Sequence, residues 1–211
     1  DLQCRAEEML EQLKEEGNAG AAVVLEPTTG EVLAISSFPD FDPNLFVLNS
    51  DPETLASYVA ADSNSPLYNR AVQGSYIPGS TVKPLIAAMA LDDGVVDENY
   101  EFTGEIIKKQ WTPKGYWPYP PITRVSNYSG PVNMSNAITK SDNIYFADVA
   151  LKAGWEKLEP FLKMIGFDER IPFDLRVSKP GYLNSGNYEN MQLLAATGYG
   201  QGELIISPLQ M

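Results

Sequence analysis

Histidine is absent from the 211 residues, cysteine occurs once, at Cys4, and 15 Lys and Arg stand against 28 Asp and Glu. Each shortage excludes a class of chemistry. Without histidine and with a single cysteine, the chain cannot build a zinc site of the Cys/His type, a Ser-His-Asp triad or a Cys-His pair. One cysteine forms no disulfide within the molecule, so cysteine usage leaves the compartment open. The net charge of −13 repels phosphate backbones and anionic lipid, which argues against nucleic-acid partners and electrostatic membrane binding. No run approaches the ~20 apolar residues of a membrane span, and no signal-peptide pattern opens the chain. The reading is a cytosolic protein, or a piece whose anchor lies outside it.

Several motifs are also missing. There is no Walker-type glycine loop, no dinucleotide fingerprint and no calcium loop, so neither a cofactor nor a metal is expected. The glycines Gly198, Gly200 and Gly202 are two apart throughout and do not fit a phosphate cradle. Among 28 acidic residues nothing singles out a glycosidase pair.

What is present is ordinary for a soluble globular chain: 44% apolar and 20% charged residues. A chain of this length most often forms one domain and buries roughly 70% of its unfolded surface. Leu2, Ala6, Met9, Leu10 and Leu13 recur at helical spacing until Gly17, with Cys4 nearer the acidic side as a bystander thiol. Residues 21–25 and 32–36 read as a β-hairpin around Pro27 and Gly30. Residues 39–69 read as loops with one short helix near 53–60. A buried helix is expected over 84–91, a long aromatic-rich excursion over 104–130, and helices over 135–139, 144–153 and 155–165. A loop-rich stretch then leads to Gly198, and a new helix begins as the chain stops at Met211.

Ser80-Thr81-Val82-Lys83 carries two readings. A serine needs a base to become a nucleophile, and without histidine a neutral lysine is the candidate. At i and i+3 in the first turn of a helix the two side chains share a face, and the helix N-terminus adds backbone donors. The apolar residues 85–90 would desolvate Lys83 and leave it mostly unprotonated in a complete site. Against this, about one Ser-x-x-Lys arises by chance in a chain this size, and Ser80 is also a good N-cap. Ser141-Asp142-Asn143 is likewise either a cap cluster or a catalytic set, with the Ser141 hydroxyl relaying protons and the Asn143 amide holding a substrate amide. A second Ser-x-Asn, Ser185-Gly186-Asn187, lies in an expected loop.

Together these blocks become recognisable. Asn69-Arg70-Ala71, Pro78-Gly79-Ser80-Thr81-Val82-Lys83-Pro84, Ser141-Asp142-Asn143-Ile144-Tyr145-Phe146, Gly198-Tyr199-Gly200-Gln201-Gly202 and Ser207-Pro208-Leu209-Gln210 resemble, in order and spacing, the transpeptidase domain of class B penicillin-binding proteins. The upstream residues 24–34 and 41–44 look like that family's opening hairpin and following loop. Ile122-Thr123-Arg124-Val125 and Gly-Tyr-Gly-Gln-Gly-Glu look most like its low-affinity, β-lactam-tolerant Gram-positive branch.

The resemblance implies an α/β fold of the penicillin-binding-protein transpeptidase and serine β-lactamase type: an antiparallel sheet flanked by helices plus a mostly helical lobe. It implies one partial domain over 1–211, with the N-terminal helix and hairpin in 1–40 and the active-site helix and helical lobe in 41–211. It also implies a D,D-transpeptidase that cross-links peptidoglycan. Ser80 would be acylated by a D-alanyl-D-alanine stem peptide or trapped by a β-lactam, with Lys83 as base and Ser141 and Asn143 completing the catalytic set. Asp142, Gly200, Gln201 and Gly202 would contact substrate. Divisome or elongasome proteins would be partners, at the extracytoplasmic face of a bacterial membrane, with an anchor outside this chain. The family's Lys-Ser-Gly or Lys-Thr-Gly strand has no counterpart here, so the domain is expected to be incomplete at its C-terminus and impaired. A β-lactam sensor, a serine β-lactamase-like protein and a non-catalytic cell-wall module, with Trp111, Tyr116, Trp117 and Tyr119 as stacking platforms, are the rival readings.

Overall fold

The computed structural model describes residues 1–48, 51–59 and 65–211. Two compact units share the chain: Asp1–Tyr76, Arg170–Lys179 and Ile206–Met211 form the first, Ile77–Glu169 and Pro180–Ile205 the second.

In the first unit, helix α1 (Leu2–Glu11) starts at Asp1, whose carboxylate accepts from the Cys4 N–H at 3.0 Å. A 3-10 turn, Gln12–Glu16, follows and ends at Gly17 with φ +67, the left-handed conformation that glycine adopts without steric cost. Cys4 is exposed, in keeping with a bystander. Strands β1 (Gly20–Leu25) and β2 (Val32–Phe38) pair antiparallel, with Val23 opposite Ile35 and a register shift after Val24. The side-chain amide of Gln3 meets both backbone groups of Ile35, accepting from its N–H at 2.9 Å and donating to its C=O at 3.0 Å. A helix side chain thus stands in for a neighbouring strand. Val23, Val32 and Ile35 pack with Phe173 against buried Val72, Val177 and Leu209.

Helix α2 (Pro43–Leu48) lies where loop is expected from the composition. Asp42 begins it by accepting from the Asn44 N–H at 2.9 Å, with proline at the first helical position. Phe41 packs edge-on against Phe46. Helix α3 (Pro52–Val59) is the short helix expected near 53–60, although Ala60 is outside the described residues.

The second unit is mostly helical. A 3-10 turn, Gly79–Val82, runs into α4 (Lys83–Asp92), and two short strands, β3 (Gln110–Trp111) and β4 (Ile122–Thr123), pair antiparallel. Helix α5 (Met134–Thr139), α6 (Asn143–Met164) and α7 (Met191–Thr197) follow, capped by Asn133, Asp142 and Asn190. Each cap oxygen accepts a first-turn N–H that has no partner within its helix. Ile144, Tyr145, Phe146, Ala147, Val149 and Ala150 are fully buried, so α6 is the spine of this unit. It breaks at Gly154 (φ +66, ψ 172), where the sequence pattern also separates two helices.

Helix α7 corrects the expected loop. Asn190 accepts from the N–H groups of Gln192 and Leu193, and Met, Gln, Leu and Ala are good helix formers once that cap is in place. Of the four aromatic residues considered as platforms, Trp111 is buried edge-on against Phe102 at 5.0 Å, and Trp117 packs edge-on against Tyr119 at 5.1 Å. Tyr116 alone is open to solvent, 92% exposed.

Leu158 and Met164 share α6 but differ in environment, at 0% and 73% exposure. Leu158→Ala should cost about 2–5 kcal/mol by transfer and cavity formation. Met164→Ala should stay within about 0.5 kcal/mol. Urea melts of both variants check the pair.

Candidate active site

Ser80 and Lys83 sit where the 3-10 turn passes into α4. A 3-10 turn eclipses residues three apart, which places both side chains on one side of the turn. Ser80 is exposed and Lys83 is 2% exposed. Ser80 does not cap the helix, so the bland explanation of that serine falls away: the residue before the turn is Pro78, with no side-chain capping bond.

A buried lysine must find acceptors. Lys83 Nζ donates to the Ser141 carbonyl at 2.8 Å, the Ser141 hydroxyl at 2.9 Å and the Asn143 amide oxygen at 2.8 Å. The Ser141 hydroxyl donates in turn to Ser80 Oγ at 2.8 Å. The structure therefore brings Ser80, Lys83, Ser141 and Asn143 into one hydrogen-bonded set, across 58 to 63 positions of chain. Burial lowers the Lys83 pKa to about 8, opposed by the Asp142 carboxylate, which raises it. Roughly a tenth of the amines are then neutral at pH 7. The mostly unprotonated lysine expected from the sequence is reached only above about pH 8, and three donated bonds describe the ammonium form.

Ser141 has φ +53, a conformation that costs a non-glycine residue about 1–3 kcal/mol and persists where its surroundings hold it. Here the turn is held from both sides. The Asp142 N–H donates to the Ala137 carbonyl at 2.8 Å, and Asp142 Oδ1 accepts the Ile144 N–H at 2.9 Å to cap α6. Asn143 Nδ2 donates to the Thr123 carbonyl at 3.1 Å, at the end of β4. The other Asp142 oxygen lies 2.6 Å from Arg124 Nη2 and accepts from the Tyr128 hydroxyl at 2.7 Å. Asp142 is 1% exposed. Its side chain is turned into the fold, not toward substrate as expected.

The glycine block after α7 braces the Ser80 turn. The Gly79 N–H donates to the Gly200 carbonyl at 2.7 Å, and a Cβ on Gly200 would lie 1.7 Å from the Gly79 carbonyl oxygen. Gly200 thus supports the Ser80 turn through backbone contact, at a φ of +83 that itself favours glycine. Gln201 and Gly202 are exposed beyond it. Gly198 closes α7 onto α6: a Cβ there would meet the Phe146 carbonyl oxygen at 2.3 Å.

A family model described as the penicillin binding protein transpeptidase domain matches residues 20–211. The chain belongs to that family. Among curated relatives of this transpeptidase family, "Penicillin-binding protein 3" of Bacillus subtilis (strain 168) is 38% identical over 204 residues, covering 96% of this chain and 29% of its own length. "Peptidoglycan D,D-transpeptidase MrdA" of Escherichia coli (strain K12) is 30% identical over 208 residues, covering 92% and 31%. The chain spans about three tenths of these relatives. Among solved structures, PBP2 of Pseudomonas aeruginosa in complex with WCK 5153 superposes with a TM-score of 0.75 at 29% identity, over 96% of this chain and 47% of that one. The penicillin G acyl-enzyme complex of penicillin-binding protein A from M. tuberculosis gives 0.75 at 28%, over 90% and 43%. The α/β transpeptidase fold expected from the sequence is therefore the fold of this family member.

Arg124, Tyr128 and Thr123 are the site residues that sequence reasoning passed over. Arg124 was visible within Ile122-Thr123-Arg124-Val125, but nothing local links position 124 to 142. Gly200→Ala and Gly186→Ala separate strain from contact in this transpeptidase domain. Gly186 has φ +66 and open space at its Cβ, so its alanine should cost about 1–2 kcal/mol from backbone alone. Gly200→Ala adds the clash with Gly79 and should destabilise the chain clearly further, or prevent folding. Denaturant melts of the two variants decide it.

Proposed function

We propose that this chain supplies the acylation machinery of a peptidoglycan D,D-transpeptidase, with Ser80 as nucleophile. The observation that carries the reading is the unbroken path from Lys83 Nζ through Ser141 Oγ to Ser80 Oγ. With the amine neutral, the two hydroxyls turn over: Ser80 gives its proton to Ser141, and Ser141 gives its own to Lys83. Ser80 Oγ then attacks the carbonyl carbon of the penultimate D-alanine. A tetrahedral oxyanion forms, the C–N bond breaks, and the terminal D-alanine leaves as an amine after taking a proton back along the same path. The acyl-Ser80 ester is finally attacked by an amine of a neighbouring stem peptide, which forms the new amide and frees the serine.

Acylation by β-lactams follows from the same nucleophile, and the penicillin G acyl-enzyme of the M. tuberculosis relative supports it. The names of the curated relatives support the peptidoglycan substrate. Among the described residues no helix is long and apolar enough to cross a membrane; action at the extracytoplasmic face, and partnership with divisome or elongasome proteins, belong to the proposal. Asn143 would hold the substrate amide through the amide hydrogen not donated to Thr123. Gln201 and Gly202, exposed beside the Gly200 brace, would line the substrate's approach.

One oxyanion donor, the Ser80 N–H, lies in the first turn of a helix, where N–H groups lack intrahelical partners. The 211-residue chain should gain the mass of one penicillin on incubation, with Ser80→Ala as the blank. Labelling of Ser80→Ala equal to that of the parent chain would remove Ser80 from the chemistry.

The pH dependence has a defined sign. The base is the neutral amine, so the labelling rate should climb about tenfold per pH unit at low pH and level off above about pH 8, the value to which burial brings Lys83. A flat profile between pH 6 and 9 would contradict general-base catalysis by Lys83.

A further inference from the structure

Arg124 is 5% exposed and follows directly on β4. Its guanidinium lies 2.6 Å from Asp142 and 4.6 Å from the centre of the Tyr128 ring. Leaving a buried cation without its counter-charge is costly, and Asp142 occupies the middle of the turn whose flanking residues, Ser141 and Asn143, accept all three hydrogen bonds of Lys83 Nζ. The strand end therefore grips that turn twice, by the Thr123 carbonyl on Asn143 and by the Arg124 charge on Asp142.

We propose that Arg124 is a positioning residue: its ion pair with Asp142 holds the 141–143 turn against the Lys83 amine and sets the pH at which that amine releases its proton. The proposal deepens the reading of Lys83 as a base and rests on it.

The groups around the amine make the electrostatic argument specific. From α6, Asn143 is neutral and the Phe146 ring stands 5.8 Å away. From the 3-10 turn, Ser80 is neutral at ordinary pH. From the 141–143 turn comes Asp142, the one charged group among the described residues whose field is resolved at Lys83, and it favours the ammonium. Behind Asp142 stand the Arg124 cation and the Tyr128 hydroxyl, whose own ionisation is pushed far up by burial and by its bond to Asp142. Arg124 thus offsets the carboxylate that would otherwise keep Lys83 charged. Removing the cation should strengthen the hold of Asp142 on the ammonium; removing the carboxylate should leave an unopposed cation and weaken it.

The test reads Lys83 itself, by NMR titration of its side-chain Cε and Nζ resonances in the 211-residue chain. It does not depend on acylation. Relative to the parent chain, Arg124→Met should move the midpoint up by at least about half a pH unit and Asp142→Asn should move it down by about as much. The double variant should return to within about half a unit of the parent, since the two charges are removed together. Arg124→Lys keeps a charge and should shift the midpoint least. If Arg124→Met does not fold, the Asp142→Asn and double variants still decide the question. A midpoint that moves the same way in the Arg124→Met and Asp142→Asn chains, or in neither, overturns the proposal. If the titration behaves as expected while Ser80 takes up no penicillin, the positioning role stands and the transpeptidase reading fails.

Discussion

The buried amine of Lys83 is the constraint from which the rest of the site follows. An ammonium removed from water requires an acceptor for each of its three hydrogens. All three acceptors come from Ser141 and Asn143. Supplying a backbone carbonyl and a hydroxyl from the same serine, and an amide from the residue two further on, forces a sharp turn into α6. Ser141 meets that requirement at φ +53 without being glycine, and Asp142 caps α6 directly after it. The Ser141 hydroxyl, once placed for the lysine, has one hydrogen left to give, and Ser80 Oγ receives it.

Such a turn holds its shape only if its neighbours leave it no alternative. Asp142 meets that need by serving three partners at once: the α6 cap, the Arg124 guanidinium and the Tyr128 hydroxyl. A buried ion pair is weak evidence for stability, because desolvation of both charges offsets their attraction. Its value here is geometric and electrostatic, as it fixes the turn and tempers the field at the lysine. On the opposite side the Ser80 turn is braced without any side chain, by Gly79 and Gly200 in backbone contact. Charge holds one wall of the site and close backbone packing holds the other.

All of these residues lie in the second unit, whose apolar weight is carried by α6. The residues of α6 just after Asn143 are fully buried, so the turn that presents Ser141 and Asn143 is attached directly to the packed core. Side chains supported in this way by a packed helix are held more closely than those on a free loop. The overall fold is shared with solved relatives at 28–29% identity.

Much of this was legible in the amino-acid sequence. The absence of histidine left lysine as the candidate base, Ser80-Thr81-Val82-Lys83 marked the candidate nucleophile turn, and Ser141-Asp142-Asn143 marked a helix start, because caps, periodicity and local spacing are short-range properties. The hairpin at Gly30 and the break at Gly154 were visible for the same reason. Helices α2 and α7 were hidden by polar, proline- or glycine-rich surroundings, although Asp42 and Asn190 were their capping signals. Only the tertiary structure decided that Asp142 faces inward to Arg124 and not outward to substrate. It alone showed that Gly200 is a brace for Gly79, and that burial and Asp142 act in opposite directions on the Lys83 amine. Those facts depend on burial and on contacts between residues 18 to 121 positions apart, and no local pattern of residue types encodes which distant group will fill a given space.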